Sequence, residues 1–313
     1  MKEGTILAIV SVIFGQTMIM FLIMLIGFLC FRVGLIDENG SQQISNVVIY
    51  ISNPALLLNS FIGKLKSSQL MDGLDILVLL VIMMLVTIVI AKLLFRKPSQ
   101  MLVRFALIFA NLGFIGLPLS KAVLGTGSVF YMSIFVGVSN FSLWTYGIYM
   151  ISGDRRTIQL KKLVVNPAIL ALVFGLIFAF TGVQLPHVLG TAVSDLANMN
   201  LPLVMIAMGC YLAEGDIRNA LKSRDLYEAV GARLIIAPLI VMIMLKAVPN
   251  NLMLVKEVIL LGQATPVAAL MAIFSKTFKK NYLFSTTVVG LTTLCSLVTI
   301  PIFMGVAQWF WKL

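Results

Sequence analysis

The sequence predicts an all-α membrane protein whose ten transmembrane helices form two inverted repeats of five, with helices four and nine broken. Three observations support this fold class: the composition, the number of long apolar stretches, and a proline spacing that recurs in both halves. Hydrophobic residues make up 60% of the 313 residues and charged residues only 11%, whereas soluble domains carry about 25% charged residues. So few charges cannot cover a water-facing surface, and most of the chain is expected to face lipid or other helices.

Apolar stretches long enough to cross a bilayer, which takes about 20 residues, recur ten times along the chain. They lie at residues 6–31, 43–62, 73–95, 101–123, 128–151, 163–182, 188–212, 226–246, 252–275 and 282–311. We therefore predict a single membrane domain over residues 1–313, with repeat one at 5–151 and repeat two at 163–311. The composition excludes a soluble domain and a nucleic-acid partner, although the net charge is +11.

The lysines and arginines are distributed unevenly between the two sides of the predicted membrane domain. Most of the 23 positive residues fall in alternate loops, such as the loop that holds Arg155, Arg156, Lys161 and Lys162. Because cytoplasmic loops of membrane proteins are enriched in positive residues, we assign this side to the cytoplasm. With ten crossings, both termini then lie outside the cytoplasm, in a multi-pass protein of the cell membrane.

The prolines indicate the internal repeat. Two pairs have the same separation, one in each half: Pro54 and Pro118, then Pro202 and Pro266. The second pair follows the first by the same number of residues that separates Gly27 from Gly175. Because each half contains an odd number of crossings, the second half enters the membrane from the opposite side, which is the inverted-topology repeat of many secondary transporters.

The fourth and ninth stretches contain residues that weaken a helix. The fourth holds Asn111, Gly113, Gly116 and Pro118, and the ninth holds Gln263, Thr265 and Pro266. Proline removes a backbone donor and clashes with the preceding turn, and backbone groups freed inside a bilayer must find partners. Two facing breaks would present helix N-termini, whose partial positive charge suits a carboxylate. An ordinary proline kink in each helix is the alternative.

The interrupted fourth stretch also carries the motif Asn111-x-Gly-Phe-x-Gly-Leu-Pro118, followed by Gly125. With this motif, and with the runs Asn53–Leu56 and Gln263–Pro266, the sequence resembles the auxin efflux carrier family over nearly the whole chain. That family includes plant carriers and bacterial malate or malonate permeases. The short loop Ser152–Lys162 is typical of the bacterial members.

The resemblance implies a division of the membrane domain. Helices one, two, six and seven, at about 6–62 and 163–212, would form a scaffold. Helices three to five and eight to ten, at about 73–151 and 226–311, would form a mobile transport domain. The resemblance further implies elevator-type motion and a homodimer through the scaffold helices.

The resemblance also implies where the substrate binds. The broken helices would cross at Pro118 and Pro266 and bind the substrate anion there, with Asn111 and Gln263 as ligands and with Gly116 and Thr265 beside them. We therefore predict a secondary transporter of small organic anions, with malate-like carboxylates first. Carriage of auxin-like aromatic carboxylates and a channel are the alternatives. No catalytic motif or cofactor site is present in the sequence, so we expect no enzyme activity and no cofactor, with transport driven by a proton or sodium gradient.

The fifth stretch carries polar residues at helical spacing. Asn140 and Tyr146 lie in it, together with Ser139 and Ser142. A polar face of this kind either lines a substrate path or packs against another helix, since buried amides often bond across helices for about 1 kcal/mol. We take Asn140 and Tyr146 as candidate substrate residues.

Three charged residues within or near the stretches are candidates for coupling or charge recognition. Asp75 opens the third stretch, and either couples an ion or simply starts a helix. Lys121, one turn beyond Pro118, either attracts an anion or extends to the outer interface. Arg233, about two turns into the eighth stretch, either extends to the cytoplasm or meets the substrate.

Overall fold

Long apolar helices dominate the computed structural model, which describes residues 3–61, 67–158, 167–182, 185–215 and 221–311. The helices of the first half are α1 (Glu3–Arg32), α2 (Glu38–Val47, continued by the π-helical Val48–Ser52 and by Asn53–Phe61), α3 (Ser67–Leu94), α4 (Met101–Ile108), α5 (Leu112–Leu124) and α6 (Gly127–Ser152). Those of the second half are α7 (Pro167–Thr181), α8 (His187–Glu214), α9 (Arg224–Ala247), α10 (Met253–Ala264), α11 (Leu270–Thr277) and α12 (Tyr282–Phe310).

Six helices among the described residues are long and apolar enough to cross a membrane: α1, α3, α6, α8, α9 and α12. The chain is therefore a multi-pass membrane protein. The other four predicted stretches are not among these six long helices. Stretches 43–62 and 163–182 correspond to α2 and α7, although residues 163–166 lie outside the described part of the chain. Stretches 101–123 and 252–275 are each broken into two helices.

Many large apolar side chains face outward. Phe14, Leu22 and Ile26 on α1 are each more than half exposed, as are Val78 and Leu85 on α3. In water such surfaces would favour aggregation, whereas lipid chains are as apolar as these side chains. The outward faces of these helices therefore fit a bilayer as their solvent.

Glycines allow the closest helix contacts. A Cβ atom added to Gly27 on α1 would lie 2.3 Å from the carbonyl oxygen of Ile206 on α8, and one added to Gly209 would lie 2.0 Å from the carbonyl oxygen of Met24. On the other side, a Cβ atom on Gly175 of α7 would lie 2.7 Å from the Phe61 ring of α2. Small residues let membrane helices approach until their backbones touch, so α1 packs on α8 and α7 packs on α2.

The start of α3 differs from the sequence prediction. The helix begins at Ser67, so Asp75 lies more than two turns inside it and does not open it. Its side chain is exposed on the outer face of the described chain. Asp75 therefore has no helix-capping role here.

Candidate functional site

Two short extended segments lie where the broken helices cross, the first link (109–111) between α4 and α5 and the second link (265–269) between α10 and α11. They run antiparallel, with Ala110 paired to Val267. Two backbone hydrogen bonds join them, from the N–H of Asn111 to the carbonyl of Pro266 (2.9 Å) and from the N–H of Ala268 to the carbonyl of Phe109 (2.9 Å). Backbone groups released by one break are thus partly satisfied by the other, as a low-dielectric environment requires.

The first break does not lie at Pro118, and the prediction of a crossing there is wrong. Pro118 is the second residue of the α-helical part of α5, which follows a π-helical first part, Leu112–Gly116. Proline lacks the backbone donor of a regular helix, and the π-helical turn before Pro118 accommodates this loss, so α5 continues through Pro118. Gly116 packs near Met132 of α6. Gly116 and Pro118 therefore lie within α5, beyond the crossing, whereas Pro266 lies in the second link.

Side chains from neighbouring turns hold the second link. The Thr265 hydroxyl donates to the Gly262 carbonyl at 2.7 Å and so caps the end of α10. The N–H of Val267 donates to the Thr292 hydroxyl of α12 at 3.3 Å. Thr265 is fully buried and its donor is used by the helix end, so its role in the structure is to shape the break.

Arg233 of α9 is bound to both helices that end at the crossing. Its side chain is 0% exposed. Nη1 donates to the carbonyl of Leu107 at 2.9 Å, near the end of α4. Nη2 donates to the backbone carbonyl of Gln263 and to Oε1 of the same residue, the latter at 2.8 Å, near the end of α10. Arg233 therefore does not extend to the membrane surface, and Gln263 faces Arg233.

Electrostatics explains this placement. Each helix C-terminus carries roughly half a negative charge, so two ends that meet amount to about one unit, which a guanidinium balances. The ion pairs of the described residues are Arg224–Glu228 and Lys276–Glu38, so no carboxylate within that part of the chain pairs with Arg233. The buried guanidinium is thus stabilised by helix ends and by an amide oxygen through Nη1 and Nη2, while its Nε has no partner among the described residues.

A small cavity of about 60 Å³ lies on the other side of the links, where α5 and α11 begin. Its polar wall comes from α2, the first link, α5 and α6: Asn53, Asn111, Gly113, Ser139, Asn140 and Trp144. The start of α11 contributes Ala268, Ala269 and Leu270. No side chain caps the start of α5 or of α11, although the N–H groups of Met271 and Ala272 in α11 donate to the carbonyls of Ala268 and Ala269.

Two buried amide atoms at the cavity have no hydrogen-bond partner among the described residues: Nδ2 of Asn111 and Oδ1 of Asn53. Asn111 is 4% exposed and Asn53 is 7% exposed. A Cβ atom added to Gly113 would lie 3.0 Å from Nδ2 of Asn53, so glycine at 113 allows this amide to approach α5. Leaving a buried polar group unpaired costs about 1–3 kcal/mol, which is recovered when a ligand supplies the partner.

The remaining predicted residues lie at different distances from the cavity. Asn140 lines it, whereas Tyr146 lies in a separate groove, with its ring 5.5 Å from the Lys92 ammonium. Lys121 is partly exposed in the last turn of α5. Asn53, which the sequence indicates only as part of a family motif, also lines the cavity; an asparagine before a proline inside an apolar stretch is the signal that marks it. Among the described residues, no cluster of metal-ligating side chains occurs.

Crossed, broken helices inside a multi-pass apolar bundle, with polar atoms turned into a buried cavity, define a membrane transporter. A family model described as membrane transport protein matches residues 12–304. The chain therefore belongs to this family, the auxin efflux carrier family that its sequence motifs resemble.

Two curated relatives are similar over most of their length. A protein of Methanocaldococcus jannaschii named as an uncharacterized transporter is 24% identical over 312 residues, which cover 95% of this chain and 97% of the relative. A protein of Methanothermobacter thermautotrophicus, also named as an uncharacterized transporter, is 26% identical over 225 residues, which cover 69% of this chain and 73% of the relative. Both names agree with the family.

Proposed function

We propose that this chain is a secondary transporter of small organic anions, chiefly malate-like carboxylates, and that it works by elevator-type alternating access. One observation carries the proposal: two uncapped helix starts and the unpartnered Nδ2 of Asn111 face the same buried cavity. Nδ2 of Asn111 is a hydrogen-bond donor, and the helix starts add partial positive charge. A carboxylate is the ligand that such a set of donors stabilises best.

The acceptor in the cavity favours a hydroxylated acid. Oδ1 of Asn53 accepts hydrogen bonds, and a malate-like acid offers both carboxylates and a hydroxyl donor. Asn140 and Ser139 line the same wall and can bind a second carboxylate oxygen. The combination supports a short hydroxy-dicarboxylate over a plain hydrocarbon acid.

The size of the cavity supports a conformational change during transport. Ligand pockets usually measure about 300–1,000 Å³, whereas this cavity measures about 60 Å³. Asn53 lies on α2 and Asn111 lies beside α5, so opening the cavity requires α2 to move relative to the crossing. We assign α2 to the scaffold and the crossing to the transport domain, so this displacement is the elevator step.

The repeat architecture is part of the proposal. We propose ten crossings in two inverted halves, with α1, α2, α7 and α8 as the scaffold and the other helices as the transport domain. The reciprocal packing of α1 on α8 and of α7 on α2 supports it, because a twofold repeat makes contacts between helices in exchanged pairs. A hydrogen bond joins Asn200 to Ser52 at 3.3 Å. These two residues are separated by the same number of residues as Pro54 and Pro202.

The remaining features of the carrier follow from the sequence and the resemblance. We propose that the protein is a homodimer through its scaffold and lies in the cell membrane with both termini outside the cytoplasm. Coupling to a proton or sodium gradient supplies the energy. Asp75, exposed on α3, and Lys121 remain the candidate charges for coupling and for attracting the anion.

A second candidate substrate is an aromatic carboxylate. The indole ring of Trp144 lines the cavity and contacts Phe274 edge to face, with the ring centroids 5.4 Å apart. Aromatic rings stack favourably on such a surface. An auxin-like acid would then place its ring on Trp144 and its carboxylate at the helix starts.

Uptake into proteoliposomes tests the proposed function. The purified chain would be supplied with radiolabelled malate, malonate or indole-acetate under an imposed pH or sodium gradient. We expect saturable, gradient-driven uptake of malate and counterflow when unlabelled malate is inside the vesicle. Flux without saturation or counterflow would mean a channel, and uptake of indole-acetate alone would select the aromatic class.

A further inference from the structure

A second, larger cavity lies away from the crossing, as a groove between α3, α6 and α7. Its volume is about 1040 Å³. The α3 wall is formed by residues three or four positions apart, which lie on one face of the helix: Gly73, Leu77, Val81, Met84, Leu85, Ile88 and Lys92. From Gly73 to Lys92 this face is about 28 Å long at 1.5 Å per residue, close to the roughly 30 Å of the hydrocarbon core.

The groove is apolar along its length and polar at one end. Most lining residues are aliphatic or aromatic, including Leu172, Leu176 and Phe180 of α7. The polar side chains of the lining are confined to the end near the C-terminus of α3: Lys92, Ser142, Thr145 and Tyr146. An amphipathic molecule with a long hydrocarbon part and a polar head matches this distribution.

The polar end is positively charged. The Lys92 ammonium lies 5.5 Å from the centre of the Tyr146 ring, and Arg104 lies within electrostatic reach of Tyr146. Nη1 of Arg104 donates to the carbonyl of Phe95 at 3.4 Å, its buried Nε has no partner among the described residues, and neither Arg104 nor Lys92 is in an ion pair there. This end holds part of the basic cluster that the charge distribution assigns to the cytoplasm, and the cytoplasmic leaflet is the one that carries anionic lipid.

We propose that this groove binds one anionic phospholipid, with an acyl chain between α3, α6 and α7 and its phosphate at Lys92, where Arg104 adds positive charge nearby. Basic pockets between transmembrane helices are a recurrent type of site for anionic head groups. Gly137 allows α6 and α7 to approach at the base of the groove, because a Cβ atom there would lie 2.8 Å from Cδ2 of Leu172. The lipid then fills the space between helices that packing leaves open.

Native mass spectrometry of the full-length protein tests the proposal, with titration by dioleoyl phosphatidylglycerol or dioleoyl phosphatidylcholine. We expect one tightly held phosphatidylglycerol per chain and weaker binding of phosphatidylcholine. Lys92→Gln should reduce the preference for phosphatidylglycerol about 5-fold, as expected for one basic residue near the surface. Lys97→Gln, an exposed cation outside the lining, is the matched control and should keep the preference.

A second pair of variants tests the acyl-chain part. Leu85→Trp fills the groove, whereas Val89→Trp adds the same ring on α3 outside the lining; both native side chains are more than half exposed. We expect Leu85→Trp to lose the bound lipid and Val89→Trp to retain it. Equal binding of the two lipids by the wild type, an unchanged preference in Lys92→Gln, or retained lipid in Leu85→Trp would each overturn the proposal.

Discussion

The two sides of the crossing satisfy their helix ends in different ways. On one side, α4 and α10 end against the guanidinium of Arg233, which donates to acceptors from both helices. On the other side, α5 and α11 begin without a capping side chain, and Nδ2 of Asn111 has no partner within the described chain. The negative ends therefore have a permanent protein charge, and the positive ends do not.

From this difference we propose that one side of the crossing maintains the structure and that the other side binds the substrate. A charge fixed in the protein holds the broken helices together whether or not a substrate is present. Donors left without protein partners gain most when an anion binds, because desolvated hydrogen bonds to a charge are the strong ones. We therefore propose that the substrate binds on the Asn111 side and that Arg233 maintains the crossing on the other side.

The largest effect is expected from Arg233→Met. Removing a buried charge leaves two backbone carbonyls and the Gln263 amide without donors, so the free energy of unfolding should fall by about 3–5 kcal/mol. Thermal unfolding in detergent measures this loss. Arg224→Gln, which removes an exposed arginine of the same helix, is the control and should change little. Equal melting temperatures in the two variants would contradict the role assigned to Arg233.

Asn111→Ala should give the next largest effect, on substrate rather than on folding. Losing one hydrogen bond to a charged ligand, about 1.5–3 kcal/mol, should raise the KM for malate uptake roughly 10- to 100-fold. The melting temperature should stay near that of the wild type, because no protein partner is lost. Gln263→Ala should do the reverse, lowering the melting temperature through Arg233. If both variants lose stability alike, the two sides of the crossing are not distinct.

Gly113→Ala should have a moderate effect on the cavity. The new methyl group would lie 3.0 Å from Nδ2 of Asn53 and push this amide away, at a cost of about 1 kcal/mol. We therefore expect the affinity for malate to fall about 5-fold. Gly231→Ala, at a helical glycine with nothing within 4 Å of the added Cβ atom, should leave affinity unchanged. An unaltered affinity in Gly113→Ala would remove Asn53 from the site.

Thr292→Val should have the smallest effect. It removes the hydroxyl that accepts from the N–H of Val267, so stability should fall by about 1 kcal/mol. Thr299→Val is the matched control on α12, since the Thr299 hydroxyl has no partner among the described residues. Chemical unfolding of both variants should separate them, and a Thr299→Val protein as unstable as Thr292→Val would contradict the specific role of Thr292.

The sequence predicted the helical class and the two interruptions, and it singled out Asn111, which the structure places at the cavity. These features are local: apolar stretches identify helices, and a polar amide followed by glycines weakens a helix wherever the fold places it. The position of the first break, by contrast, depends on contacts between residues far apart in the sequence. Pro118 suggested it, but α5 continues through Pro118 after a π-helical turn, and the break falls at residues 109–111, where the second link supplies backbone partners.

The separation of Arg233 and Gln263 from the cavity beside Asn111 required the structure. An arginine inside an apolar stretch signals that it needs partners, but the sequence does not tell whether these are lipid head groups, a substrate or helix ends. Gln263 appeared equivalent to Asn111 because both precede a proline. The fold turns one amide toward a guanidinium and the other toward a cavity, and this depends on how four helices meet.

Calorimetric titration of the purified protein with malonate and with malonamide, its uncharged diamide, tests the central claim most directly. The two molecules have similar shapes but differ in charge. If the uncapped helix starts and Asn111 form an anion site, malonate should bind and malonamide should bind at least 100-fold more weakly. Equal binding of the two compounds would contradict an anion site at the crossing.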